Sequence, residues 1–152
     1  MLLVERGLAE TRTRARALLM AGRVTANGQR MDKPGVMVDE SVALDVKAGP
    51  QYVGRGGIKL IHALQEFALS VSGALALDVG ASTGGFTDCM LQHGAHRVYA
   101  LDVGYGQLDQ RLRQDNRVVV MERMNARHPF QLPEVVDLAT VDVSFISLRL
   151  VL

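Results

Sequence analysis

The stretch Ala74-Leu75-Ala76-Leu77-Asp78-Val79-Gly80-Ala81-Ser82-Thr83-Gly84-Gly85-Phe86-Thr87 decides the fold of this chain. Its first half, Ala74 to Val79, is an apolar run of strand length. That run carries one acid and breaks into a glycine-rich turn, which opens onto a helix-like sequence. Glycine has no Cβ, so a turn of this kind lets the backbone approach a ligand closely. Open α/β sheets bind their ligands beyond the carboxyl ends of their strands. The stretch therefore predicts a nucleotide-like cofactor. A βα turn that holds no ligand is the plainer alternative.

Spacing narrows the choice of cofactor. A dinucleotide fingerprint needs Gly-x-Gly-x-x-Gly, and Ser82 stands where its second glycine should be. A phosphate loop ends in Gly-Lys-Ser/Thr, and no lysine follows Lys59. What remains is Asp-x-Gly-x-x-x-Gly-Gly. A second acid, Asp102, closes the next apolar run, Val98 to Leu101. It lies near the ~20-residue offset at which an acid receives ribose hydroxyls in Rossmann-type sites. With no pyrophosphate to cradle, S-adenosylmethionine fits, since it offers a ribose and a charged amino-acid tail.

Outward from this stretch, the pattern alternates strand and helix. Strands are expected at 74–79, 97–101, 117–121 and 136–141, and helices at 84–93 and about 107–113. That alternation predicts a parallel, doubly wound sheet. Upstream, a helix from about Ile58 to Leu69 shows an apolar stripe of Ile58, Ile61, Leu64 and Phe67-Ala68. Residues 48–53 read as a linker. Residues 1–47 read as a separate module. A helix tail at 2–6 is closed by Gly7, and a second helix runs from about Arg12 to Ala21, with Ala15, Leu18 and Leu19 inward. Val24–Ala26, Asn27-Gly28 and Gln29–Met31 form a hairpin, because Asn-Gly is the strongest short hairpin signal. Val42 to Val46 alternate like a further strand. The predicted fold class is α/β: a small α+β domain at 1–47, then the first part of a Rossmann-like, doubly wound sheet at 54–152. The abrupt ends, Met1-Leu2-Leu3-Val4 and Leu150-Val151-Leu152, read as those of a fragment.

Composition narrows the function classes. With 48% hydrophobic and 22% charged residues, the chain can build a core. One cysteine, Cys89, rules out an internal disulfide framework and a Cys-rich zinc site; it reads as a small core residue. His62, His93, His96 and His128 are scattered, so no metal site is expected. No apolar run reaches the ~20 residues of a membrane span, and a cytoplasmic protein is expected. The net charge is only +1, but it is unevenly spread. Residues 1–33 hold Arg6, Arg12, Arg14, Arg16, Arg23, Arg30 and Lys33 against Glu5, Glu10 and Asp32. Such a basic block suits a polyanion.

Eight motifs, in order along the chain, carry a family resemblance. Leu3-Val4-Glu5-Arg6-Gly7-Leu8, Thr11 to Arg16 and Ala21 to Gly28 resemble the small RNA-binding domain named after small-subunit ribosomal protein four. Tyr52 to Leu60, Asp78 to Thr87, Leu101 to Leu108, Glu122 to Arg127 and Val141 to Leu148 resemble an FtsJ-type methyltransferase domain. Together they resemble the TlyA/hemolysin-A family of ribosomal RNA methyltransferases. The resemblance implies 2′-O-methylation of ribosomal RNA, with S-adenosylmethionine as donor. It also implies a Lys-Asp-Lys-Glu tetrad, in which Lys59 matches the first lysine and Asp142 the aspartate. The other two members would lie beyond Leu152, so an incomplete or inactive fragment is expected. An RNA-binding protein without catalysis is the alternative, and a membrane-active haemolysin a more distant one.

The chemistry suits these residue types. A ribose 2′-hydroxyl is a weak nucleophile, so in-line methyl transfer needs positioning and a nearby base. Lys59 would add positive field near the hydroxyl, and Asp142 would hold a lysine in place. Asp78, Gly80, Ala81, Ser82, Gly84, Gly85 and Phe86 are the candidate cofactor loop. Of these, Asp78 is placed at the methionine ammonium, directly or through water. Asp102 is assigned to the ribose and Asn125 to the adenine. Arg6, Arg12, Arg14, Arg16 and Arg23 are the candidate RNA contacts.

Overall fold

The computed structural model describes residues 1–144 and 147–151. Phe145 and Ile146, inside the Val141–Leu148 motif, and the terminal Leu152 lie outside the described residues. The chain divides into two compact units, Met1–Gly49 and Pro50–Leu152. Tyr52 is buried, and the Val53 N–H donates to Asp88 Oδ2 at 2.8 Å, so both belong to the second unit.

In the first unit, α1 (Leu2–Glu5) and α2 (Arg12–Met20) pack on a three-stranded antiparallel sheet. Its strands are β1 (Val24–Ala26), β2 (Gln29–Met31) and β3 (Leu44–Val46), in the order β2-β1-β3. Thr11 starts α2, where its hydroxyl accepts the Arg14 N–H at 3.1 Å; this satisfies one donor that a helix start leaves orphaned. Asn27 and Gly28 both take positive φ, the conformation a two-residue hairpin turn demands. Leu3, Ala15, Leu18, Leu19 and Val24 form the small core.

The second unit is a parallel sheet of β4 (Leu75–Val79), β5 (Arg97–Leu101), β6 (Val118–Met121) and β7 (Leu138–Val141), in the order β6-β5-β4-β7. The chain steps outward from β4 through β5 to β6, then returns to the other side of β4. This reversal at β4 is a topological switch point. On one face, Ala76, Val98 and Ala100 pack against α3 (Gly56–Glu66), α4 (Gly85–Gln92) and α5 (Gln110–Arg113). The opposite face carries Leu77, Val79, Tyr99 and Leu101. Segment 122–137 covers that face without forming a helix. Pro129 and Pro133 explain why: each removes a helix donor and biases its predecessor away from helical angles. Glu134 pins the segment, accepting from Tyr99 Oη at 2.5 Å and from Arg97 Nη1 at 2.7 Å.

Two expectations change. Helix α5 starts at Gln110 rather than 107, because Asp109 caps it by accepting the Arg111 N–H. Of the expected stripe on α3, Leu64 is buried and Ile61 packs against the core, but Ile58 is 50% exposed and Phe67, past the helix end at Glu66, is 69% exposed; Gly57 and Leu60 complete the buried face. Glycines set this packing. A Cβ on Gly85 would stand 2.9 Å from the Gly57 amide nitrogen, so α3 and α4 meet along their glycines. Hydrophobic periodicity does not register a contact made by residues without side chains.

Candidate active site

The carboxyl ends of β4, β5 and β7 open into a cleft of about 480 Å³. Gly80, Ser82, Asp102, Asn125, Asp142 and Ser144 are among its lining residues. A second concavity of about 250 Å³ adjoins it, lined by Gly56, Lys59, Ala81, Thr83, Gly85 and Phe86. The two share Gly80, Ser82, Asp142 and Ser144 as a common wall.

Gly80 is required at its position. Its φ is +84°, and a Cβ there would lie 2.6 Å from the Asp142 carbonyl oxygen. No side chain fits both constraints, so the β4 loop and the end of β7 can touch only through glycine. Gly84 turns the other way, towards Leu108 and Leu112 under α5, and lines neither concavity.

Asp102 faces the cleft from the end of β5. Its Oδ2 accepts the Ser82 N–H and its Oδ1 the Gly104 N–H, each at 2.7 Å. A carboxylate offers about four lone-pair sites, so two bonds fix its orientation and leave capacity for ribose hydroxyls. Asn125 lies across the cleft on segment 122–137, where its Oδ1 accepts the Arg127 N–H at 3.0 Å. Residues around this cleft therefore fit S-adenosylmethionine: an oriented acid for a ribose, a wall free of Cβ at Gly80, and a polar side chain opposite.

Lys59, on α3, and Asp142, after β7, meet although 83 residues separate them. The Lys59 Nζ stands 3.0 Å from Asp142 Oδ2 and 3.2 Å from Oδ1. Their side chains are 67% and 43% exposed. A pair this open adds at most about 1 kcal/mol to folding, so its meaning lies in where it places a cation.

Asp78 is placed differently from the other loop residues. It is 1% exposed and points to the helix face of the sheet. Oδ2 accepts both the Thr87 N–H (3.0 Å) and the Thr87 hydroxyl (2.7 Å), and Oδ1 accepts the Thr140 hydroxyl (3.2 Å). It does not line the cleft. Burial pushes its pKa up to about 6 against these hydrogen bonds, with Asp142 adding repulsion.

In the first unit Arg12, Arg14 and Arg16 are exposed on α2. Arg14 and Arg23 line a groove of about 640 Å³ together with Lys47. Sequence reasoning passed over Lys47 as the last residue before a presumed linker. Its signal was the alternation ending at Val46, which puts the next residue on the strand's opposite face. The Arg6 guanidinium instead donates to the Glu40 and Val42 carbonyls and ties down their loop. Thr87 and Thr140 were also missed.

The FtsJ-like methyltransferase family profile matches residues 52–152, and the S4 domain profile matches residues 1–43. A protein of Bacillus subtilis (strain 168), provisionally named rRNA methyltransferase YqxC, is 57% identical over 99% of this chain and 55% of its own length. The 16S/23S rRNA (cytidine-2′-O)-methyltransferase TlyA of Mycobacterium tuberculosis (strain ATCC 25618 / H37Rv) is 49% identical over 99% of this chain and 58% of its own. Hemolysin A of Brachyspira hyodysenteriae is 43% identical over 93% and 60%. A solved structure from Streptococcus thermophilus, provisionally described as a hemolysin, covers 99% of this chain and 57% of its own, with a TM-score of 0.66 and 49% identity. The chain thus spans 55% to 60% of these three curated relatives. Among the described residues no helix is long and apolar enough to cross a membrane. With a parallel sheet, a glycine loop and an acid-lined cleft inside the matched region, the chain belongs to the FtsJ-like methyltransferase family.

Proposed function

We propose that this chain carries part of the machinery of an S-adenosylmethionine-dependent 2′-O-methyltransferase acting on ribosomal RNA in the cytoplasm. The Lys59–Asp142 pair carries this reading, because it stands beside the wall shared by both concavities. The larger concavity is assigned to the cofactor, which when bound supplies the methyl group. Asp102 accepts its ribose hydroxyls and Asn125 faces its adenine. The smaller one is assigned to the acceptor ribose. There Asp142 holds the Lys59 ammonium in place, and that cation stabilises negative charge developing on the 2′-oxygen. Two relatives named for cytidine-2′-O methylation of rRNA support the same substrate class. Arg12, Arg14, Arg16 and Arg23, joined by Lys47, are assigned to phosphate contacts in the first unit.

Calorimetric titration of the chain with S-adenosylmethionine tests the cofactor half. Binding is expected, weakened at least about tenfold in Asp102→Ala and unchanged in Lys59→Ala. Transfer of labelled methyl groups to ribosomal subunits tests the rest. RNA binding without any cofactor binding would assign the non-catalytic role instead.

A further inference from the structure

Asp78 sits at the crossing of two elements that the cleft depends on. Towards α4, its Oδ2 takes the amide and hydroxyl of Thr87, in the first turn of the helix. The residue preceding that helix, Gly84, has no side chain to cap it. Asp78 therefore acts as the cap from outside the helix, and in doing so it closes the base of loop 80–84. Towards β7, its Oδ1 takes the Thr140 hydroxyl. Asp78 and Thr140 are direct partners in the parallel register, and Val79 and Val141 are the next pair. The following residues are Gly80 and Asp142, which touch where glycine alone is allowed. The Asp142 N–H also bonds to the Val79 carbonyl at 3.1 Å. One buried carboxylate thus grips both the loop that walls the cleft and the strand that delivers Asp142.

We propose that Asp78, Thr87 and Thr140 are positioning residues that hold the cofactor loop and Asp142 in one fixed relation, without touching the ligand themselves. The inference rests on the cofactor reading above and deepens it. Thr87 is fully buried and Thr140 nearly so, so neither can act by direct contact with a ligand in the cleft. Removing one member of such a satisfied network leaves a buried oxygen without its donor and loosens what the network supports, and loss of supporting hydrogen bonds behind a site typically costs affinity.

The experiment is titration of the chain with S-adenosylmethionine, well below the melting transition of every variant. Thr87→Val keeps shape and amide but removes the hydroxyl. It is expected to weaken binding roughly tenfold, the effect of losing a hydrogen bond to a charged group. Thr87→Ser restores the hydroxyl and is expected to bind within about twofold of the unaltered chain. Thr140→Val is expected to weaken binding about fivefold and to raise amide exchange at Asp142, a readout that needs no ligand. Unaltered affinity in both valine variants, with only their melting temperatures lowered, would reduce the network to ordinary core structure and overturn the inference. Failure of the unaltered chain to bind would overturn the cofactor reading itself. In that case Asp142 exchange in Thr140→Val still decides whether the network fixes β7.

Discussion

Asp78 is a buried carboxyl whose surroundings change how it takes up a proton. Burial pushes its folded pKa up to about 6, above the ordinary 3.8, so the folded state holds this proton more tightly than the unfolded one. For an acid shifted upward, stability is greatest where the group is protonated and falls as pH rises through the interval between the two values. Above about 6 the loss is complete, on the order of 3 kcal/mol for so buried a group. Asp109, Asp115 and Glu134 have lowered values through their arginine or tyrosine partners and act in the opposite sense. The prediction therefore concerns a difference. Melting temperature of the chain relative to Asp78→Asn should rise as pH is lowered from about 7.5 to about 5, since asparagine cannot titrate. A constant offset would mean that Asp78 keeps an ordinary pKa. None of this was legible locally. The sequence presents Asp78 as the acid before a glycine loop, a natural ligand for an ammonium group. Its partner Thr140 is 62 residues away, and only the parallel register brings the two together.

At the scale of elements, local signals were read well and contacts made by backbone were not. The Asn27-Gly28 hairpin and strands β4 and β5 lie within a residue or so of expectation, because turn chemistry and an unbroken apolar run are properties of neighbours in sequence. Helix α3 was expected two to three residues too far along the chain, and of its expected stripe Ile61 and Leu64 face the core while Ile58 does not, because its packing follows glycines. That origin makes a test. In Gly85→Ala the new Cβ would press on the Gly57 nitrogen and the Gly54 carbonyl, 2.9 and 3.2 Å away. Both obstacles are backbone, so α3 and α4 must separate, at an expected cost of about 1–3 kcal/mol. Chemical denaturation of the variant measures this, and a loss below about 0.5 kcal/mol would show that the helices have room to spare. The Lys59–Asp142 pair lay in the same blind spot. Family resemblance joined the two residues, but periodicity could not, since Lys59 reads as a solvent-facing lysine on an amphipathic helix.

The molecule as a whole divides its charge between its two units. The excess of arginine and lysine over residues 1–33 is legible from the sequence alone, and residues 48–152 are close to neutral, with nine bases against ten acids. What the fold adds is that Arg14, Arg23 and Lys47 come from three separate segments to one groove. If that groove follows a phosphate backbone, each contact releases counterions. Replacing all three by alanine should lower the slope of log affinity against log salt by roughly 2–3 for RNA, measured by filter binding across a salt series. An unchanged slope would move the contacts elsewhere. The parallel sheet has a consequence in time as well. Strands β4 and β5 are joined through the single short helix α4, whereas β7 must return across 62 residues to reach Asp78. The longer closure costs about 1 kcal/mol more entropy before any pairing offsets it, and distant pairings form slowly. During refolding, amides shared by β4 and β5 should gain protection from pulsed hydrogen exchange before the Asp142 amide does; simultaneous protection would contradict this order. The Asp102 side of the cleft then exists for a time without its Asp142 side. A newly folding chain builds one wall of the cleft before Asp142 arrives to hold the Lys59 ammonium.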